Sequence, residues 1–275
     1  MKDIVSVEWL KKNRNNSNLI LLDSSLNKTA DVTASTFQDL TIPTARYFDL
    51  KATFSDTNSP YPNTIPSQKQ FEVECRKLGI NRSSVIIVFD NLGIYSSPRV
   101  WWMFKIMGHD NVAVLNGGLK DWIKNKLPTK KRTIETYAHG DFKAFLQKDF
   151  IINYASIKRN IKQASFTIID ARSKGRFQGT ENEPRKELKS GHIKGSINIP
   201  YNDVLFDGKY KSKKELNTLF EDKCNKADML VFSCGSGVTA CIVLLASTIA
   251  FKKSNYVYDG SWTEWAQKNN LKRDV

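Results

Sequence analysis

Three short patterns in the first half of the chain return in the second half, in the same order and about 145 residues later. A repeat of this length predicts two similar domains, because 275 residues are enough for two separate hydrophobic cores. The paired patterns are LILLD and FTIID at 19–23 and 166–170, IPTARYF and IKGSINI at 42–48 and 193–199, and VLNGGLKDW and VYDGSWTEW at 114–122 and 257–265.

Each half alternates short β-branched runs with helical stretches. The run at 85–89 precedes a helical stretch with Trp101 and Trp102, and the run at 112–115 precedes one with Trp122. Alternation of this kind predicts parallel strands joined by right-handed helical crossovers. We therefore predict an α/β fold of two tandem domains, each a mainly parallel sheet flanked by helices.

The segment between the two halves divides the predicted domains. Residues 128–148 contain Pro128 and Gly140 but no strand signal, and we predict that they form a linker. The first domain would span residues 1–127 and the second residues 149–275, facing each other across a cleft. We expect the first domain to be catalytically silent and to form one wall of the site, because its turn equivalent to CGSGVT has Asp90 and no cysteine.

A charge-free run at 229–251 is long enough to cross a membrane, which takes about 20 apolar residues. However, SCGSG at 233–237 interrupts the run, so a single apolar helix is not predicted. The pattern instead predicts a buried strand at 229–232 and a helix at 238–251, joined by a glycine-rich turn.

The composition is that of a soluble globular protein with a basic excess, since the formal net charge is +14. The basic residues are scattered, and no aromatic residues interleave the densest run, KNKLPTKKR at 124–132. We therefore expect no nucleic acid as the main partner and no membrane, while the positive field would attract small anions. The N-terminal sequence has no apolar core of a secretory signal, so we expect a cytoplasmic protein.

The four cysteines, Cys75, Cys224, Cys234 and Cys241, include no pair with the spacing of common zinc or dithiol sites. We expect reduced thiols, no metal and no cofactor. Cys234 follows the predicted buried strand and opens the turn CGSGVT, where backbone N–H groups and a helix N-terminus favour negative charge on sulfur. It is therefore a candidate nucleophile. The alternative is a small buried core residue, which is the interpretation that we prefer for Cys241.

Several reactions that use such a turn need residues that this chain lacks. A cysteine phosphatase carries a phosphate-binding arginine at the place of Ala240, and a P-loop carries a lysine at the place of Val238. A cysteine protease needs a histidine base, and the three histidines, His109, His139 and His192, lie beside glycine or in the linker. Sulfur transfer through a persulfide needs no such base if backbone amides already stabilise the thiolate.

The motifs taken together closely resemble the tandem-domain sulfurtransferases, a family that contains rhodanese and 3-mercaptopyruvate sulfurtransferase. CGSGVT is similar to the mercaptopyruvate branch, because the thiosulfate branch carries charged residues after the cysteine. The motifs of the second half are DARSKGRFQGTENEPR (170–185), GHIKGSINIP (191–200), CGSGVTAC (234–241) and YDGSWTEW (258–265), and those of the first are IPTARYFDL (42–50), SPRVWWMF (97–104) and GHDNVAVLNGGLKDW (108–122).

This resemblance implies that Cys234 takes the sulfur of 3-mercaptopyruvate, releases pyruvate and passes the sulfur to cyanide or a thiol acceptor such as thioredoxin or a small thiol. Arg176 and Arg185 match the carboxylate-binding arginines of the family, a role that suits a planar charged fork. Residues of the catalytic turn complete the implied site: an amide cradle of Gly235, Ser236, Gly237, Val238 and Thr239, with the Ser236 hydroxyl polarising the substrate carbonyl. Asp170, Arg172 and His192 match positions that we expect to be structural.

One loop departs from the family pattern. The family often carries an acidic residue and a histidine in a sequence similar to SPYDHMLP, and here SDTNSPYPNTIP places Asn63 where that histidine would fall. A relay of charge to Ser236 is therefore not predicted from the pattern. Two alternatives to a mercaptopyruvate enzyme stay open at this point: a rhodanese that prefers thiosulfate, and a sulfur-relay protein whose basic face binds an acidic partner.

Overall fold

The computed structural model describes residues 1–26, 36–224, 229–251 and 254–272. The chain forms two compact units. The first contains Met1–Thr57, Ile65–Gln147 and Asp207–Tyr210, and the second contains Asn58–Thr64, Lys148–Phe206 and Lys211–Val275. The domain borders at residues 127 and 148 stay a prediction.

Short strands and helices alternate along both units. The strands are β1 (Ile4–Val5), β2 (Leu19–Asp23), β3 (Leu40–Thr41), β4 (Arg46–Tyr47), β5 (Val85–Phe89), β6 (Val112–Leu115), β7 (Lys130–Lys131), β8 (Ile151–Ile152), β9 (Thr167–Asp170), β10 (Ile197–Asn198), β11 (Leu205–Phe206), β12 (Lys209–Tyr210), β13 (Met229–Ser233) and β14 (Ser254–Tyr258). The α-helices are α1 (Val7–Asn13), α2 (Gln68–Lys77), α3 (Ser97–Ile106), α4 (Gly118–Lys124), α5 (Tyr154–Gln163), α6 (Lys174–Gln178), α7 (Lys213–Cys224), α8 (Ala240–Ala250) and α9 (Ser261–Lys268). Two short 3₁₀ helices lie at Lys148–Phe150 and Tyr201–Val204.

Each unit is built on a five-stranded parallel sheet. The strand order is β1-β6-β5-β2-β4 in the first unit and β8-β14-β13-β9-β10 in the second. The two orders match element by element, and the repeated sequence patterns fall on equivalent elements. The predicted α/β fold is therefore confirmed.

Residues 128–147 belong to the first unit, and they contain one strand that the sequence pattern did not predict. Strand β7 pairs antiparallel with β3, where Lys130 lies opposite Thr41. Further along, Phe142 is fully buried and its N–H donates to the carbonyl of Ile80. Two lysines gave no strand signal because the pairing of β7 depends on its partner strand and not on its own apolar pattern.

The charge-free run folds as strand β13, a turn and helix α8, which confirms the predicted break at SCGSG. Helix α8 begins two residues later than predicted, because Val238 and Thr239 continue the turn through bonds to the N–H groups of Cys241 and Ile242. In the part of the chain that the structure describes, no helix is both long and apolar enough to cross a membrane. Helix α8 is apolar because it is buried against β13, β14 and α7.

Candidate active site

Cys234 lies at the carboxyl end of the central strand β13 and is 2% exposed. The first turn of α9 holds the main chain at this point. Trp262 N–H donates to the Cys234 carbonyl at 2.9 Å, and the N–H and hydroxyl of Thr263 donate to the Gly235 carbonyl at 3.1 and 2.7 Å. Ser261 Oγ accepts from Cys234 N–H at 3.2 Å. Helix α9 therefore fixes the start of the turn, a role that the sequence pattern did not reveal.

Glycine is needed at the two positions of the turn for different structural reasons. A Cβ on Gly235 would lie 2.8 Å from Nη2 of Arg176, so the missing side chain lets this guanidinium approach the backbone. Gly237 has a φ of +80°, a left-handed conformation that strains other residues. Val238 and Thr239 follow as buried residues, and Thr239 is the N-cap residue of α8.

Arg176 comes from helix α6 and is held by a carboxylate. Glu183 accepts from Arg176 Nε at 3.2 Å and from Arg176 Nη2 at 2.8 Å, and it also accepts from Arg172 Nη1 at 2.8 Å. The side chains of Arg172 and Glu183 are almost fully buried. Paired, buried charges of this kind fix the guanidinium of Arg176 in one orientation. Glu183 is a residue that the sequence analysis missed.

Arg172 supports this cluster through structural contacts. Its guanidinium pairs with Asp170 and lies 4.4 Å from the ring centre of Trp262. It also donates to the carbonyl of Gly191 at 2.6 Å. His192 stacks on Phe177, with ring centres 4.1 Å apart. These contacts agree with the structural roles expected for Asp170, Arg172 and His192.

Arg185 is half-buried and follows Glu183 by two residues. Burial lowers the pKa of its guanidinium, and negative charge on Glu183 and on the Cys234 sulfur acts in the opposite direction. The charge of Glu187 also raises the pKa of Arg185, and the charge of Arg176 lowers it.

Ser236 is half-buried in the turn and contacts Asn63. The Nδ2 atom of Asn63 lies 2.8 Å from Ser236 Oγ and 3.4 Å from the Ser236 carbonyl oxygen. Asn63 belongs to the segment Asn58–Thr64, which packs with the second unit. A polar side chain therefore does reach Ser236 from the position where the sequence pattern departs from the family.

The equivalent turn of the first unit holds a carboxylate. Asp90 follows β5 as Cys234 follows β13, and the N–H of Leu119 donates to its carbonyl as Trp262 does for Cys234. Its Oδ2 accepts from the N–H groups of Tyr95, Ser96 and Ser97 at 2.9 to 3.1 Å and from Ser97 Oγ at 2.6 Å. A turn at this place in the fold thus gathers backbone donors around an anion.

The other three thiols are buried. Burial raises the pKa of Cys75 well above its ordinary value. Cys241 lies in the first turn of α8, fully buried, and its thiol donates to the carbonyl of Gly237 at 3.4 Å. Across the described ranges, no group of three His, Cys, Asp or Glu side chains is arranged to hold a metal ion.

The family model of the Rhodanese-like domain matches this chain twice, at residues 6–125 and 153–268. The chain belongs to the rhodanese family. The two matches confirm the predicted tandem organisation of rhodanese-like domains.

Relatives of this rhodanese-family chain cover nearly its whole length. It is 39% identical over 274 residues to 3-mercaptopyruvate sulfurtransferase of Homo sapiens, covering 95% of this chain and 91% of the relative. It is 38% identical over 277 residues to thiosulfate sulfurtransferase of Mus musculus, covering 96% and 92%. The crystal structure of SseA from Escherichia coli, described with the rhodanese fold of 3-mercaptopyruvate sulfotransferases, superposes with a TM-score of 0.83 at 30% identity and covers 95% of this chain and 99% of SseA.

Proposed function

We propose that this protein is a sulfurtransferase that moves a sulfur atom from 3-mercaptopyruvate through a persulfide of Cys234 to an acceptor and releases pyruvate. The observation that carries the proposal is the cysteine at the carboxyl end of β13, with the guanidinium of Arg176 against the adjacent Gly235. Relatives with this activity in their names match nearly the full chain.

Substrate binding rests on the two arginines. Glu183 holds one edge of Arg176, and the basic excess of the chain attracts the carboxylate of an α-keto acid. A guanidinium binds a carboxylate in a defined plane, so two of them fix the orientation of the substrate as well as its charge. The sulfur of the substrate would then lie against Cys234.

In the transfer step the substrate sulfur gains a bond to the Cys234 sulfur and loses its bond to carbon. The Cys234 thiolate attacks the substrate sulfur, an S–S bond forms, and the C–S bond breaks with its electron pair going to the substrate. That electron pair gives the enolate of pyruvate. The proton of the substrate S–H group then moves to the methylene carbon, which completes pyruvate and leaves the persulfide as an anion.

The turn CGSGVT supplies the donors for this step. The Ser236 hydroxyl donates to the carbonyl oxygen of the substrate, where charge develops as the C–S bond breaks. The backbone amides of Gly235, Ser236, Gly237, Val238 and Thr239 surround the sulfur anion. The carboxylate of Asp90, held by backbone N–H groups in the equivalent turn, supports this arrangement.

The second half-reaction regenerates the enzyme. A thiolate or cyanide attacks the outer sulfur of the persulfide, takes it and returns Cys234 as a thiolate. Thioredoxin or a small thiol is the acceptor that we propose for the cytoplasm, where thiols are kept reduced. The proposed mechanism uses no metal or cofactor in either half-reaction.

A preference for thiosulfate is the second candidate, favoured by the matches to thiosulfate sulfurtransferases at 36 to 38% identity. The side chains of the turn itself, Ser236, Val238 and Thr239, are uncharged, whereas a doubly charged donor is best bound by cations close to the sulfur. Comparing kcat/KM for the two donors decides between them. We expect the higher value for 3-mercaptopyruvate.

The test of the proposal replaces the nucleophile and uses a thiol of the first unit as control. Cys234→Ser should release no pyruvate from 3-mercaptopyruvate, whereas Cys75→Ser should keep its activity because Cys75 is a buried residue of helix α2 in the first unit. Circular dichroism of both variants checks that the fold is intact. Pyruvate release by folded Cys234→Ser at the wild-type rate would refute the proposed function.

A further inference from the structure

The contact between Asn63 and Ser236 joins residues 173 positions apart in the chain. The Asn63 side chain is placed by a turn with its own bonds. Ser59 Oγ bonds Thr64 Oγ1 at 2.8 Å and accepts from the N–H of Tyr61 at 3.1 Å, and Thr64 Oγ1 donates to the Tyr61 carbonyl at 2.8 Å. Asn63 itself has a φ of +58°, a left-handed conformation that asparagine adopts more readily than most residues. The turn therefore presents this side chain in a fixed direction.

The direction of the hydrogen bond follows from the second contact. The carbonyl oxygen of Ser236 can only accept, and it lies 3.4 Å from the same atom of Asn63 that lies 2.8 Å from Ser236 Oγ. The atom nearest to Ser236 is therefore the Nδ2 donor and not the amide oxygen. Because the hydroxyl accepts from Asn63, its single proton points to a different partner.

We propose that Asn63 is a positioning residue that fixes the Ser236 hydroxyl as a hydrogen-bond donor to the carbonyl oxygen of the substrate. This inference rests on the proposed function. An amide Nδ2 cannot take a proton, so Asn63 does not act as a base on Ser236. Ser236 stabilises the enolate oxygen by donation alone, and the proton that completes pyruvate comes from the substrate sulfur.

The decisive variant reverses the direction of the bond without changing its size. Asn63→Asp has nearly the same shape, but its ionised carboxylate only accepts, so it turns the Ser236 proton away from the substrate. Asn63→Gly removes the side chain and suits the left-handed backbone, which makes it the matched truncation. We expect kcat to fall about fivefold in Asn63→Gly, the size of one lost orienting hydrogen bond. In Asn63→Asp we expect a fall of about 10²-fold, the size of one lost donor to a developing oxyanion.

A second experiment uses Ser236→Ala to measure how much of the effect on kcat depends on the Ser236 hydroxyl. In a Ser236→Ala background neither change at residue 63 should lower kcat further, whereas the negative charge added by Asn63→Asp should still raise KM for an anionic substrate. The ratio of kcat for Asn63→Asp to that for Asn63→Gly should also rise as pH falls towards about 4, because a protonated aspartate regains a donor. A merely structural role of Asn63 predicts neither result.

The outcomes separate this inference from the function on which it rests. If wild type turns over 3-mercaptopyruvate but Asn63→Asp keeps the kcat of Asn63→Gly, or if the losses add in the Ser236→Ala background, the inference is wrong and the function stands. If the wild-type protein releases no pyruvate, the proposed function fails and the inference falls with it.

Discussion

Replacing Glu183 with glutamine tests whether the arginine cluster is held as the structure shows. The side chain of Glu183 is 1% exposed and accepts three hydrogen bonds, two from Arg176 and one from Arg172. Glutamine has the same shape, but it lacks the charge and presents an NH₂ group to one of the guanidinium groups. Removing one partner of a buried ion pair costs about 3 to 5 kcal/mol.

Loss of these ion pairs in Glu183→Gln should lower the free energy of unfolding and weaken substrate binding. In urea titrations followed by tryptophan fluorescence, a loss of about 3 kcal/mol moves the unfolding midpoint down by about 1 M or more. Because Arg176 loses its support, KM for 3-mercaptopyruvate should rise about tenfold or more, the size of one charge-assisted hydrogen bond. Glu221→Gln is the matched control, since it makes the same charge change at an exposed position of helix α7 in the second unit. Wild-type midpoint and wild-type KM in Glu183→Gln would refute this account of the cluster.

Two further changes test the turn and its counterpart. Gly235→Ala should raise KM for 3-mercaptopyruvate, because the added Cβ meets Nη2 of Arg176, and Glu183 prevents that guanidinium from moving away. An unchanged KM would contradict this close approach. Asp90→Ala should destabilise the first unit by about 3 kcal/mol or more, since it leaves several backbone N–H groups without their acceptor, and unfolding in urea measures this loss. Wild-type stability of Asp90→Ala would show that the Asp90 carboxylate does not stabilise the turn after β5.

Patterns that depend on neighbouring residues were predictable from the sequence. The break at SCGSG, the strand before it and the helix after it follow from local periodicity and glycine content, and the structure has all three. The duplication predicted two similar domains, and the two sheets have matching strand orders.

Features that depend on distant contacts were not predictable in the same way. Glu183 lies in the polar run ENEPR, where a carboxylate is typical of a solvated surface, and only its two arginine partners explain its burial. The contact of Asn63 with Ser236 has no local signal at all. The bonds from α9 to the turn had no sequence signal either; the structure shows them in both units, where Leu119 N–H bonds the Asp90 carbonyl and Trp262 N–H bonds the Cys234 carbonyl.

The central claim is that one sulfur atom is carried on Cys234, and the mass of the intact protein tests it most directly. After mixing with 3-mercaptopyruvate and removal of small molecules, the account predicts a gain of one sulfur atom, located on the Cys234 peptide and lost again when a thiol or cyanide is added. Pyruvate release with no added sulfur on the protein, or with the added sulfur on Cys75, Cys224 or Cys241, would contradict it.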